Sequence, residues 1–450
     1  MIRGHRPRTH TDEPPKPSCK ECILRPMKAL LVSFGTRGDI EPFLAVGEVL
    51  RERGWDVVCL FPEQFRKEVE AIGYRFHGFD PAFLELLRDA DGQRIIGGGG
   101  SPVARIKSWI ALARKGMRLN RESGELQEQV LTDESPDLLL YHPKSLFNII
   151  WAMANPGRAV LVSPLPGVAH PLADFGPVFK DHGRLLNRLE YWIVNNIKAA
   201  TARGFARKYP EAYSHVDTSL SAIRNAFVRD QPAVYLISPS LFDRPEDWPE
   251  NAKIVGYFER DKTADWEPPS ELQHFLEKYP RPILISFGSM TNPEPEKKTR
   301  IFVDALTKLG IPAIINTSWG GLQRLEVVPE HILFVDSIPY DWAFQRVYAV
   351  VHHGGSGTTH MAAKYGCPSL IIPHAVDQFM WARIVEKKGL GPQAIPVKRL
   401  SEEKLANALE ELYNVGHYGH YKTAALAVAE RMRHEPDPER LFRILTVGKK

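Results

Sequence analysis

The chain has 450 residues, 43% hydrophobic and 25% charged, too long for one ordinary core and typical of a globular protein, so two or three domains are expected. A formal net charge of +4 is small for this length and gives no support for a nucleic-acid partner. No stretch reaches the ~18 apolar residues of a membrane span, which argues against an integral membrane protein and leaves peripheral membrane contact open.

Residues 1–26 hold Arg, Lys, His and Pro without the apolar run of a secretory leader. Cys19 and Cys22 form a lone CxxC there. A zinc site needs four ligands, and His5 and His10 have no usual spacing, so a disordered extension is the preferred reading. The other two cysteines, Cys59 and Cys367, lie in apolar runs and read as reduced core residues. So few cysteines fit a cytoplasmic location.

Order is expected from Met27. Lys28–Phe34 reads as a buried strand, Gly35–Pro42 as a loop, Phe43–Arg53 as a helix and Asp56–Phe61 as a second strand. A helix over about 62–72 and a strand near 74–79 follow. This alternation is the signature of a doubly wound parallel sheet. Ile96–Pro102, with four consecutive glycines, is a loop. Val103–Asn120 is basic and amphipathic; an ordinary surface helix is preferred over a membrane-surface or pocket-covering one. Further strands are expected over 136–141, 158–163 and 233–238, then a polar, proline-rich linker over 261–269. The pattern then restarts, with strands over 282–287, 312–317, 332–335, 349–353 and 368–373, and helices over 297–309, after 353, and over 377–388. The division is 27–260 and 270–425, with 426–450 as a C-terminal helix that can cross back to the first unit.

The segment His352-His353-Gly354-Gly355-Ser356-Gly357-Thr358-Thr359 carries the most chemistry. It joins a strand to a helix, where backbone N–H groups and the helix dipole favour an anion and glycines allow close approach. It is neither GxGxxG nor a Walker loop, and composition does not identify the anion. Ser286-Phe287-Gly288-Ser289 and Asp377-Gln378 fall at the same carboxyl edge of the expected sheet, where open α/β sheets bind ligands. Taken alone, the first is a turn and Asp377 is a favourable helix-start carboxylate. Asp39 likewise reads as a helix cap, or as a carboxylate able to take a proton from an alcohol. His142, just after the strand at 136–141, is the reserve base.

These segments together resemble the GT-B glycosyltransferases, in the group of sterol glucosyltransferases and enzymes that glycosylate antibiotic aglycones. The residues are FGTRGDIEP at 34–42, LNRLEYW at 186–192, ISFGSM at 285–290, IPYDWAF at 338–344 and HHGGSGTTHMAAKYGCPSLIIPHAVDQFMWA at 352–382. The resemblance covers 27 to about 430 and is weakest over 85–230, where the family keeps much of its acceptor pocket. It implies an α/β protein of GT-B architecture, two Rossmann-like domains facing a central cleft, with acceptor bound by the first and donor by the second. It implies inversion without a metal or other cofactor. His353, Gly355, Ser356, Gly357, Thr358 and Ser289 stand where relatives bind the donor phosphates, Ile338 and Pro339 where they bind the base, and Asp377 and Gln378 where they hold the sugar. Asp39 takes the catalytic position that many relatives give to histidine.

The expected reaction is a single displacement that moves a hexose, glucose first, from UDP-glucose to a hydroxyl of a sterol, other lipid or polyketide-like aglycone. A dTDP-sugar is the second-choice donor. Two rivals stay open: a UDP-sugar epimerase of the same fold, and a nucleotide-binding module without catalysis.

Overall fold

A computed structural model describes residues 25–80, 122–177, 179–260, 266–288, 290, 292, 294–317, 320–413 and 415–447. The CxxC tail, the basic 103–120 segment and Ser289 lie outside the described residues.

The first unit contains β1 (Lys28–Val32), α1 (Arg37–Arg51), β2 (Asp56–Pro62), β3 (Arg75–Phe79), β4 (Leu138–Tyr141), α2 (Phe147–Ala154), β5 (Ala159–Ser163), α3 (Arg184–Lys208), β6 (Ala233–Tyr235) and β7 (Ala252–Ile254). Its seven strands run in the order β3-β2-β1-β4-β5-β6-β7. All pairings are parallel, with Leu30 opposite Val58 on one side and Leu139 on the other. Alternate β1 residues enter different cores: Ala29 and Leu31 pack on one face, Leu30 and Val32 on the other. A strand buried on both faces must read as an unbroken apolar run, which is what made it legible in sequence.

The second unit contains β8 (Ile283–Ser286), α4 (Pro295–Leu309), β9 (Ala313–Asn316), β10 (Ile332–Val335), β11 (Ala349–His352), α5 (Ser356–Lys364), β12 (Ser369–Ile371) and α6 (Gln378–Lys387), followed by α7 (Val415–Arg433) and α8 (Pro438–Leu445). Its five-stranded parallel sheet has the order β10-β9-β8-β11-β12. The chain thus has two doubly wound sheets, each with its order reversing beside its first strand.

One apolar cluster is common to both units. Trp381, Met380 and Val385 of α6, with Ala425 and Val428 of α7, join the cluster under β1, β4 and β5. Helix α8 returns to the first unit: Leu441 and Leu445 enter the core beside α1, and Phe442 meets Trp55 edge-on with ring centroids 6.4 Å apart. The C-terminal segment is two helices, broken where Pro436 and Pro438 flank Asp437, which caps α8 by accepting from the Arg440 N–H at 2.9 Å.

Helix α1 corrects the expected loop at 35–42. It starts at Arg37, so Asp39 lies within its first turn and does not precede it. The Asp39 N–H donates to the Thr36 carbonyl at 2.9 Å and the Thr36 N–H donates back to Asp39 Oδ2 at 3.0 Å. That reciprocal pair holds the turn despite Pro42 farther along the helix.

Candidate active site

The carboxyl edges of the two sheets face each other. On the first side, Ser33 at the end of β1 donates its hydroxyl to the Asp39 carbonyl at 2.8 Å and so ties strand to helix. Gly35 has φ +125°, and a Cβ there would lie 2.1 Å from Asp39 Oδ2. Only glycine leaves room for the carboxylate.

Asp39 is 7% exposed. Lys144 Nζ donates to its Oδ1 at 2.7 Å, and His142 Nε2 lies 3.4 Å from the same oxygen. Burial alone would raise the Asp39 carboxyl; the Lys144 charge and the adjacent His142 outweigh it and hold the group below the ordinary carboxylate range. The Lys144 N–H donates to His142 Nδ1 at 3.1 Å. The neutral ring therefore carries its proton on Nε2, facing Asp39. Burial pushes His142 down to about 4, so it is uncharged at neutral pH. Two residues read as alternative bases are thus neighbours, with His142 placed to orient Asp39. Sequence reading missed Lys144; its signal was a cation two residues after a strand-end histidine.

The loop carrying Lys144 is fixed from beneath. Ser145 bonds to Gln127 and accepts from Asn148 Nδ2 at 2.9 Å, and all three are buried. These bonds tie the loop to the start of α2 and to the segment that carries Gln127.

On the second side, the same local device recurs. The Gly354 N–H donates to His352 Nδ1 at 3.1 Å, as Lys144 does to His142. Ser-Phe-Gly ends the first strand of each unit, at 33–35 and 286–288, and a histidine ends the fourth. Gly354, at φ +87°, could not carry a Cβ without a 2.7 Å contact with Ile371. The His353 ring sits between two glycines: a Cβ at Gly355 would meet its Nε2 at 2.4 Å, and one at Gly288 its Cε1 at 3.0 Å. His353 is buried, and its Nδ1 has no hydrogen-bond partner. Burial, with lesser effects from His352 and His374, keeps it neutral. Its other nitrogen, Nε2, lies against Gly355, which opens α5, and an imidazole N–H there can donate to a ligand oxygen.

Gly355 is the N-cap of α5. The N–H groups of Ser356, Gly357 and Thr358 open the helix without intrahelical acceptors and form the electropositive end of its dipole. Thr358 is buried there. The Ser356 hydroxyl is otherwise engaged: it donates to the Pro164 carbonyl of the opposite unit at 2.8 Å.

Asp377 immediately precedes α6 and accepts from Trp381 Nε1 at 3.1 Å. Burial, reinforced by the negative charge of Asp39 across the gap, pushes it up to about 6. Asp39 and Asp377 belong to different units, which meet where the Ser356 hydroxyl reaches the Pro164 carbonyl. Gln378 is used internally: its Oε1 accepts from the His374 and Ala375 N–H groups at 2.7 and 3.1 Å, and its Nε2 contacts Met290 Sδ. Between them, Val376 takes φ +53°, a strained value for a β-branched residue. Ile338 is buried in the core beneath β10, and Pro339 caps the short helix Tyr340–Ala343. Among the described residues no group of three or more His, Cys, Asp or Glu side chains is placed to hold a metal ion.

His360 of α5 links the two units. Its Nδ1 donates to the Ser356 carbonyl at 2.7 Å and its Nε2 accepts from the Ser238 N–H at 3.0 Å. The ring stacks on Tyr257 with centroids 5.0 Å apart. Arg383 of α6 and Asp181, just before α3, also approach across the units, to 3.7 Å.

Residues 29–96 match the glycosyltransferase family 28 N-terminal domain, and residues 300–447 match the erythromycin biosynthesis protein CIII-like C-terminal domain. A sterol 3-beta-glucosyltransferase of Arabidopsis thaliana is 31% identical over 91% of this chain and 64% of its own length. The Saccharomyces cerevisiae sterol 3-beta-glucosyltransferase is 28% identical over 84% of this chain and 32% of its own length. The chain thus spans less than two thirds of the relatives it matches. The crystal structure of the glycosyltransferase SnogD from Streptomyces nogalater superposes with a TM-score of 0.63 at 19% identity, covering 94% of this chain and 100% of that one. The chain has the GT-B fold, and it is similar in sequence to the glycosyltransferase family 28 N-terminal domain and to sterol 3-beta-glucosyltransferases.

Proposed function

We propose that the protein is an inverting, metal-independent glycosyltransferase that moves a hexose from a nucleotide diphosphate sugar to a hydroxyl of a sterol, other lipid or polyketide-like aglycone. UDP-glucose is the donor we favour. The reading rests on the Asp39 carboxylate at the carboxyl edge of the first sheet, and on His353 and the start of α5 at that of the second, the two edges being joined by the Ser356–Pro164 hydrogen bond.

In this reading the donor diphosphate lies against the amides of 356–358, with His353 donating one hydrogen bond. Asp39 takes the acceptor proton as the hydroxyl oxygen attacks the anomeric carbon. The bond from that carbon to the phosphate oxygen breaks, and the leaving charge is met by dipoles already aimed at it. One displacement inverts the centre. Lys144 holds the carboxylate through its Oδ1, and the His142 Nε2 edge faces the same oxygen at 3.4 Å. Asp377 is available to the sugar hydroxyls, as an acceptor when ionised and a donor when protonated.

Purified protein is incubated with UDP-glucose, with and without a panel of sterols and aglycones, while UDP release and product mass are followed. Release that needs an acceptor, gives a product heavier by one hexose, and is lost in Asp39→Asn supports transfer. Interconversion of free UDP-sugars without acceptor supports an epimerase. UDP binding with no turnover supports a binding module.

A further inference from the structure

Helix α3 buries one face and leaves an apolar stripe exposed on the opposite one. Asn187, Tyr191, Asn195, Ala199, Ala202 and Ala206 repeat every three or four residues and are buried against the first unit. The opposite face carries Leu185, Leu186, Leu189, Trp192, Ile193 and Ile197, all exposed: Leu185 by 83%, Ile197 by 61% and Trp192 by 55%. Single exposed apolar residues are ordinary; six on four turns of one helix are not.

Charge identifies the cover. The helix holds six cations, at 184, 188, 198, 203, 207 and 208, and one acid, Glu190, which pairs with His182 at 2.6 Å. Exposed Arg184 and Arg188 flank one end of the apolar stripe, and exposed Arg207 stands further along the helix, while Lys208 is paired with Glu125. A second copy laid on this face would set two strongly cationic helices against one another. An anionic lipid surface meets both features: acyl chains for the leucines, headgroups for the arginines, and the boundary between them for Trp192.

We propose that the outward face of α3 docks the protein on an anionic membrane, lying in the headgroup–acyl boundary. The helix begins beside α6 of the second unit, where Asp181 meets Arg383 at 3.7 Å. This inference stands apart from the sugar-transfer reading, since docking needs no turnover.

The test is flotation of the full chain with vesicles of phosphatidylcholine alone, or with roughly 30% phosphatidylserine. Wild type is expected to float with the anionic vesicles and several-fold less with the neutral ones. The triple variant Leu186→Glu, Leu189→Glu, Ile193→Glu should lose at least ~10-fold of that partitioning with its melting temperature unchanged. Arg184→Gln with Arg188→Gln should lose the preference for phosphatidylserine. Absence of wild-type flotation, or equal flotation of the triple variant, overturns the proposal. So does a dimer in sedimentation velocity that the triple variant dissociates. A lower melting temperature in the triple variant with vesicle binding intact would mean that the chain itself covers this face, and also overturns it.

Discussion

Replacing Lys144 with methionine removes the cation 2.7 Å from Asp39 Oδ1 and keeps the length of the side chain. An opposite charge this close lowers a carboxylate by about 1–3 pH units. The Lys144 side chain is 46% exposed, so solvent screens part of that, and a rise of about 1–2 units is expected for Asp39. Burial, no longer opposed by the lysine, pushes in the same direction. With saturating donor, the acid limb of the kcat/KM profile for the acceptor should therefore move up by about 1–2 units, while Lys144→Arg leaves it in place. A donor-free check follows from linkage. A carboxyl depressed in the folded state contributes stability above the unfolded value of about 3.9, and that stability is lost as pH falls through the folded value. Lys144→Met should therefore begin acid unfolding at higher pH than wild type. An unmoved acid limb together with an unmoved acid-unfolding curve would refute the Asp39–Lys144 coupling.

His353→Ala should weaken UDP binding by about 10–100-fold in calorimetry, the loss of one charge-assisted hydrogen bond, while Asp39→Asn mainly lowers turnover. Equal losses of donor affinity from both would contradict the division of roles. Asp377 is raised to about 6 by burial and by Asp39, so its ionisation costs stability as pH rises from about 4 to about 6. Asp377→Asn should therefore be more stable than wild type at pH 7, by about 1 kcal/mol or roughly 2 °C in thermal melts; no gain would mean the carboxylate is not strained by its site. His360→Ala leaves the buried Ser238 N–H without its acceptor and removes a ring packed on Tyr257 and Trp381. It should lower stability by about 2–4 kcal/mol in denaturant melts with UDP affinity changed less than that of His353→Ala.

The sheets were readable because parallel strands buried on both faces are short apolar runs punctuated by glycine. The strand expected at 28–34 and the one observed at 28–32 differ only at the end. The small strand β7 was missed, with Lys253 exposed between two buried residues and only three residues to show a pattern. The histidine-glycine loop was legible because its residue types serve backbone geometry, which sequence encodes locally. Side-chain partners were not. Ser356 and Gln378 were assigned to the donor from their positions in a motif, yet Ser356 bonds Pro164, which is 192 residues away, and Gln378 bonds its own preceding loop. Lys144 joins Asp39 only because β4 lies beside β1, a pairing no local pattern reveals. The outward face of α3 was equally hidden, since periodicity says that a stripe is apolar and not which stripe meets the core.

The central claim is spatial: a pyrophosphate held at the start of α5 with the anomeric carbon turned toward Asp39. A crystal structure of Asp39→Asn with intact UDP-glucose tests it most directly. The account predicts phosphate oxygens on the amides of 356–358 and on His353, with the side chain at position 39 facing the anomeric carbon across a space that admits one hydroxyl. Diphosphate bound elsewhere, or an anomeric carbon turned away from position 39, would contradict it.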